Sequence, residues 1–243
     1  ASSPQRKPRN PLPDPHPRKP RVTLPSGSVD AHIHLFGPAE RYPFSATSKY
    51  VSDDLLPETY FEVAATLGVD NAVLVSGGGY GTDTRHLKDT LARFPELLRG
   101  IALLDETVTS EEMAELDRLG VRGLRFVGPS DGGGLPKISP RMAAMAHELG
   151  WHVQFYPHGD EILQVSQQLL DLPNAAIVLD HFANIPAAGG TDQPAFRRVL
   201  EMMDSGRVWV KLSGPMRCTQ EEPPYPSVTP LARALVAHAP ERL

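Results

Sequence analysis

The chain is poor in cysteine, in tryptophan and in long apolar runs. Cys218 is the one cysteine among 243 residues, so no disulfide can form within the chain. A reducing compartment is the default expectation, and a cytoplasmic location follows from it. No run approaches the ~18 apolar residues of a membrane span. The opening Ala-Ser-Ser-Pro has neither the apolar core of a signal peptide nor an initiator methionine. A processed or incomplete chain is therefore expected. There is no excess of positive charge. The net charge is -5, which gives no case for nucleic acid as a partner. The first strand is not followed by G-x-G-x-x-G, and the glycines at 77–79 and 81 lack a Walker lysine. A tight strand-to-helix turn accounts for them as well as a phosphate loop would.

Proline, by contrast, is abundant and unevenly placed. Residues 1–25 hold eight prolines and six Arg or Lys against one Asp, which leaves -10 for the rest of the chain. Such a stretch forms neither a helix nor a central strand. It is expected to be a disordered, basic, solvated tail, with residues 26–243 as the folded part.

From Ser28 onward, short apolar runs rich in β-branched residues alternate with helical stretches. Strands are expected to end near His34, Ser76, Leu104, Phe126, Tyr156, His181 and Ser213. Helices are expected over 57–68, 82–94, 110–119, 139–150, 160–170, 194–204 and 228–239. Seven strand–helix units argue for a parallel sheet. They suggest an α/β fold of the (β/α)8 TIM-barrel type, truncated before the eighth strand. An open doubly wound sheet is the alternative.

The chemistry-bearing residues gather at the expected strand ends. In Val29-Asp30-Ala31-His32-Ile33-His34, strand alternation puts Asp30, His32 and His34 on one face. Taken alone, two such histidines could simply be satisfied by hydrogen bonds in a core or at a surface. Arg125 ends the fourth strand, Tyr156 the fifth with His158 beyond it, and Asp180-His181 the sixth. Lys211 and Ser213 end the seventh, and Arg217 follows. In a parallel barrel the reacting groups gather at this end of the strands. Several cations with only Asp30 and Asp180 as carboxylates favour an anionic or carbonyl-rich substrate.

These segments, with Tyr80-Gly81-Thr82-Asp83, Gly120-Val121-Arg122-Gly123-Leu124-Arg125, Gly150-Trp151-His152-Val153-Gln154, Leu179-Asp180-His181 and Val208-Trp209-Val210-Lys211-Leu212-Ser213-Gly214, resemble the amidohydrolase superfamily. The branch is the amidohydrolase-related (amidohydrolase 2) family, in the character of its 2-pyrone-4,6-dicarboxylate lactonases and sugar-lactone hydrolases and isomerases. The resemblance spans residues 28–243. It implies a hydrolase acting on a small anionic lactone. His32, His34 and His181 would surround and polarise the lactone carbonyl. Tyr50, Arg125, Tyr156 and Arg217 would hold the carboxylates and ring. A strand-eight aspartate would activate water.

Two departures from that pattern stand out. Pro240-Glu241-Arg242-Leu243 stops where strand eight would begin, so the aspartate is not in the sequence and truncation is expected. The loops after strands four and six read Asp131-Gly132-Gly133-Gly134 and Asn184, where the pyrone lactonases carry further arginines. A less anionic lactone is expected for that reason. A carboxylated lysine is missing from strand four, where Arg125 stands and cannot coordinate a metal. A site without metal or other cofactor is therefore expected. The alternative is Zn²⁺ held by His32, His34 and His158. A zinc-dependent decarboxylase of the same superfamily, a TatD-like metal phosphodiesterase and a catalytically incomplete fragment are the competing readings.

Overall fold

A computed structural model describes residues 7–128 and 136–243. The loop at Asp131–Gly134, from which fewer cations were expected, lies outside the described residues. The chain divides into two compact units, residues 1–122 and 123–243.

In the first unit, strand β1 (Val29–Ile33) pairs parallel with β2 (Asn71–Val75), and β2 pairs parallel with β3 (Leu98–Leu103). Helices α1 (Pro57–Leu67), α2 (Arg85–Arg93) and α3 (Ser110–Arg118) follow the three strands in turn. Helix α1 begins with proline at its first turn, where a missing N–H costs nothing. It ends on Gly68 at φ 80, whose N–H closes onto Ala64 and Ala65. Helix α3 carries a reciprocal cap. The Thr109 side chain accepts from the Glu112 N–H, and the Glu112 carboxylate accepts from the Thr109 N–H. Leu74, Leu91, Leu98, Ile101, Met113 and Leu116 fill the core of this unit.

In the second unit, β4 (Val121–Val127), β5 (His152–Tyr156), β6 (Ile177–Leu179) and β7 (Val208–Val210) pair in parallel, each with the next in sequence. Helices α4 (Pro140–Glu148), α5 (Glu161–Leu170) and α6 (Pro194–Asp204) connect them, and α7 (Thr229–His238) follows β7. Leu124, Met142, Phe155, Ile162, Leu169 and Phe196 are buried. The strands read as continuous apolar runs because parallel sheets are covered on both faces. No helix among the described residues is long and apolar enough to cross a membrane.

Several boundaries differ from the sequence expectation. Strand β1 stops at Ile33, so His34 lies just beyond it. Helix α2 starts at Arg85 rather than residue 82. The Asp83 carboxylate takes both the backbone N–H and the guanidinium of Arg85, holding the preceding residues as a turn. Strand β6 stops at Leu179 and β7 at Val210, so His181 and Ser213 lie beyond the strands. From the segment 1–25, residues 8–10 run alongside Val51. The Asn10 N–H donates to Val51 O, and the Val51 N–H donates to Pro8 O, each at 2.9 Å.

Candidate active site

The first unit presents the histidine pair. His32 and His34 lie on the same side of the strand end, with their Nε2 atoms 3.4 Å apart. The His34 Nδ1–H donates to the Val75 carbonyl at 2.8 Å. A carbonyl can only accept, so Nδ1 carries a proton, and Nε2 is the atom that faces His32. The pairing of β1 with β2 shifts register between Asp30 and Ile33. There the Asp30 carboxylate accepts from the His32 N–H at 3.1 Å and from the Tyr60 hydroxyl at 3.5 Å. Burial, and then the Asp30 charge, raise the Tyr60 hydroxyl well above the ordinary tyrosine range. Asp30 thus anchors the backbone that carries the histidines.

Tyr50 belongs to the loop after β1, which is packed by rings. Phe36 meets Phe44, Tyr50 and Tyr80 edge to face, at centroid distances of 5.1, 6.2 and 6.0 Å. The Tyr50 hydroxyl accepts from the Gly79 N–H at 2.9 Å. A side chain on Gly79 would strike Phe44, its Cβ lying 2.9 Å from that ring. The glycines after β2 therefore let the backbone close onto the aromatic loop. Behind it, His86 stacks on Tyr80 and meets Tyr42 edge-on. Burial lowers His86 to about 4.

The second unit gathers the rest. Tyr156 is its hub. The Arg125 guanidinium lies over its ring at 5.4 Å, His158 meets it edge-on at 5.1 Å, and His181 does so at 5.7 Å. Arg125 is 4% exposed, and its Nε and Nη2 donate to Asp180 Oδ2 at 3.1 and 2.9 Å. Gln154 Nε2 donates to the same oxygen at 3.1 Å, and Lys211 Nζ donates to Gln154 Oε1 at 2.9 Å. Lys211 also stands 3.6 Å from Asp180 Oδ1. The cations of strands four and seven are thus balanced by a buried carboxylate, as burying a guanidinium requires. Burial, and secondarily the Lys211 charge, lower nearby His152 to about 4.

His181 bonds Ser213 Oγ through Nδ1 at 2.8 Å. Arg217 closes the short turn Pro215–Arg217 and is exposed. His158 is also exposed, and its backbone N–H donates to Glu161. The Cys218 thiol is buried, which pushes it up to about 11, so it is no nucleophile at neutral pH.

The sequence reading passed over Gln154 as a site residue. An amide inside Val153-Gln154-Phe155 was the available signal, because a buried amide in an apolar strand must be paired. The Ser213–His181 contact joins residues 32 apart and had no local signal.

The donor chemistry of the histidine pair fits a zinc ion. Two Zn–N bonds at tetrahedral angles set their nitrogens about 3.3 Å apart, and the His32–His34 separation is 3.4 Å. The Val75 carbonyl bond on His34 is the kind of outer contact that orients a ligating imidazole.

Parallel strands, each followed by a helix, carry imidazoles, a guanidinium and a tyrosine near their C-terminal ends. The chain belongs to the amidohydrolase family, as residues 29–243 match that family's profile. It is an enzyme of hydrolase type. It is 32% identical over 226 residues to 4-sulfomuconolactone hydrolase of Hydrogenophaga intermedia, covering 92% of this chain and 74% of that protein. It is 31% identical over 245 residues to 2-pyrone-4,6-dicarboxylate hydrolase of Comamonas testosteroni, covering 94% of this chain and 78% of that protein. A crystal structure from Agrobacterium tumefaciens superposes with a TM-score of 0.80 at 26% identity, covering 92% of this chain and 81% of that one.

Proposed function

We propose that the protein opens the lactone ring of a small carboxylated compound, by water attack on the ring carbonyl. The observation that carries this is the clustering of Arg125, His158 and His181 around the Tyr156 ring, in a chain whose relatives are named lactone hydrolases. His32, His34 and His181 polarise the carbonyl and stabilise the tetrahedral oxyanion. Tyr50, Tyr156 and Arg217 hold the ring and its carboxylates. Arg125 serves the same end, with Asp180 fixing its orientation. The base that activates water is assigned to a strand-eight aspartate, which residues 1–243 do not include. The scaffold for these roles is the (β/α)8 type of barrel, of which residues 26–243 supply seven strand–helix units.

In this reading the site works without metal. A second reading, favoured by the 3.4 Å spacing of the histidine nitrogens, has zinc on His32 and His34, with His158 as the expected third ligand. Bound zinc would polarise a carbonyl or acidify a water. The residues otherwise keep their roles, and decarboxylation becomes a competing reaction.

The test is an assay of the purified protein with 2-pyrone-4,6-dicarboxylate, 4-sulfomuconolactone and a neutral lactone. Opening of one or both anionic lactones is expected, with much slower turnover of the neutral one. Equal turnover of all three would remove the anionic-substrate assignment. Release of carbon dioxide without ring opening would favour the decarboxylase.

A further inference from the structure

We infer that Ser213 is a positioning residue for His181, and that the backbone turn at 181–184 exists to deliver the imidazole to it. This rests on the lactonase reading, in which His181 acts on the substrate.

His181, Phe182, Ala183 and Asn184 lie at φ 51, 55, 54 and 51, four consecutive non-glycine residues in the left-handed region. Each costs about 1–2 kcal/mol relative to the right-handed form, and such residues normally occur singly. Strain of this kind persists only where surrounding contacts over-determine it. Those contacts are present. The Phe182 N–H donates to Lys211 O at 3.0 Å, and the Ala183 N–H to Asp180 O at 2.8 Å. Asn184 Nδ2 donates to the Pro157 carbonyl, and the Cys218 thiol lies 3.7 Å from His181 O. Phe182, Ala183 and Asn184 are buried.

The turn follows the end of β6 at Leu179 and sets His181 against the segment after β7. There the ring has three neighbours. Ser213 Oγ bonds Nδ1 at 2.8 Å, and the Tyr156 ring stands edge-on. Gly214, at φ 61, lies so close that a Cβ on it would fall 2.9 Å from His181 Nδ1. A hydroxyl both donates and accepts, so the Ser213 bond persists whichever state Nδ1 adopts. The ring keeps one orientation while its proton changes. Neither an alanine nor a fixed donor at 213 would provide that.

The experiment uses the full-length protein with ¹⁵N-labelled histidine, as parent, Ser213→Ala and Ser213→Thr. In the parent, the His181 Nδ1 signal should be that of a hydrogen-bonded ring nitrogen. In Ser213→Ala it should shift and broaden, and in Ser213→Thr it should return. With a lactone that the parent opens, Ser213→Ala should lower kcat about tenfold, the loss of roughly one hydrogen bond. Its KM should stay within about twofold, and Ser213→Thr should recover most of the rate. A raised KM at unchanged kcat would make Ser213 a substrate contact and overturn the proposal. So would parental His181 signals in Ser213→Ala. If Ser213→Ala does not fold, the parent decides alone, because a freely exchanging imidazole signal at His181 also overturns it. Failure of the lactonase reading registers separately, as absence of lactone opening by the parent or full activity of His181→Asn.

Discussion

Asp180 is wholly buried, accepts from Arg125 and Gln154, and stands 3.6 Å from the Lys211 ammonium. Removing its carboxylate leaves two cations without their shared counter-charge. Asp180→Ala is therefore expected to lose about 3–5 kcal/mol of stability, read as a lower urea midpoint. An unchanged midpoint would mean that the network is not formed in solution. Arg217 is the contrast. It is exposed, so Arg217→Ala should change the stability by less than about 0.5 kcal/mol. Its effect should be a raised KM for a dicarboxylated lactone, and a parental KM would remove Arg217 from the substrate site. His86 makes a third case. Its folded value of about 4 lies below the ordinary 6.5, because burial disfavours the charged ring. The unfolded chain then binds a proton that the folded chain refuses. The stability this represents is complete above pH 6.5 and is lost as pH falls through 4. The melting temperature should drop across that window, and His86→Gln should flatten part of the drop. A parental slope in that variant would place the loss elsewhere.

Among the elements, β3 shows how closely a helix can sit on a strand. A Cβ on Gly100 would lie 2.7 Å from Leu91 Cδ1 and 3.1 Å from Val121 Cγ2. Gly100→Ala must displace the Leu91 side chain, and overpacking of this kind costs about 1–3 kcal/mol. Calorimetry should show a clear fall in melting temperature; a rise would mean that the core has slack there. The helices were the legible part of the sequence because their signals are local. Pro57 and Gly68 bracket α1, Thr109 and Glu112 cap α3, and Ser139-Pro140 and Pro194 open α4 and α6. The closeness of His32 and His34 was legible for the same reason, although β1 ends at Ile33 and its pairing shifts register between Asp30 and Ile33. The ends of β6 and β7 were not. The turn after Leu179 is dictated by Lys211, Pro157 and Cys218, all distant in sequence. The balance of Arg125 against Asp180, 55 residues apart, was hidden likewise, so strand ends that read as a cationic pocket are partly neutralised.

At the scale of the whole molecule, the net charge is -5, and residues 26–243 are more acidic still. An anionic lactone is repelled at long range, so the binding groups must act at contact distance. That puts weight on the His32–His34 pair, where the two readings differ in whether the Nε2 atoms face each other or a metal ion. With the His34 Nδ1–H donating to Val75 O, a site without metal leaves the two Nε2 atoms as a hydrogen-bonding pair across 3.4 Å. A zinc site needs both Nε2 atoms bare. The whole protein distinguishes them without any variant. Metal analysis of freshly purified protein should give well under one zinc per chain if the site works without metal. Dialysis against a chelator should then leave kcat/KM within about twofold of the starting value, a change too small to represent loss of a Lewis acid. One bound zinc per chain, with activity lost to the chelator and regained on adding Zn²⁺, would transfer carbonyl polarisation from the imidazoles to the metal. His32 and His34 would then be ligands.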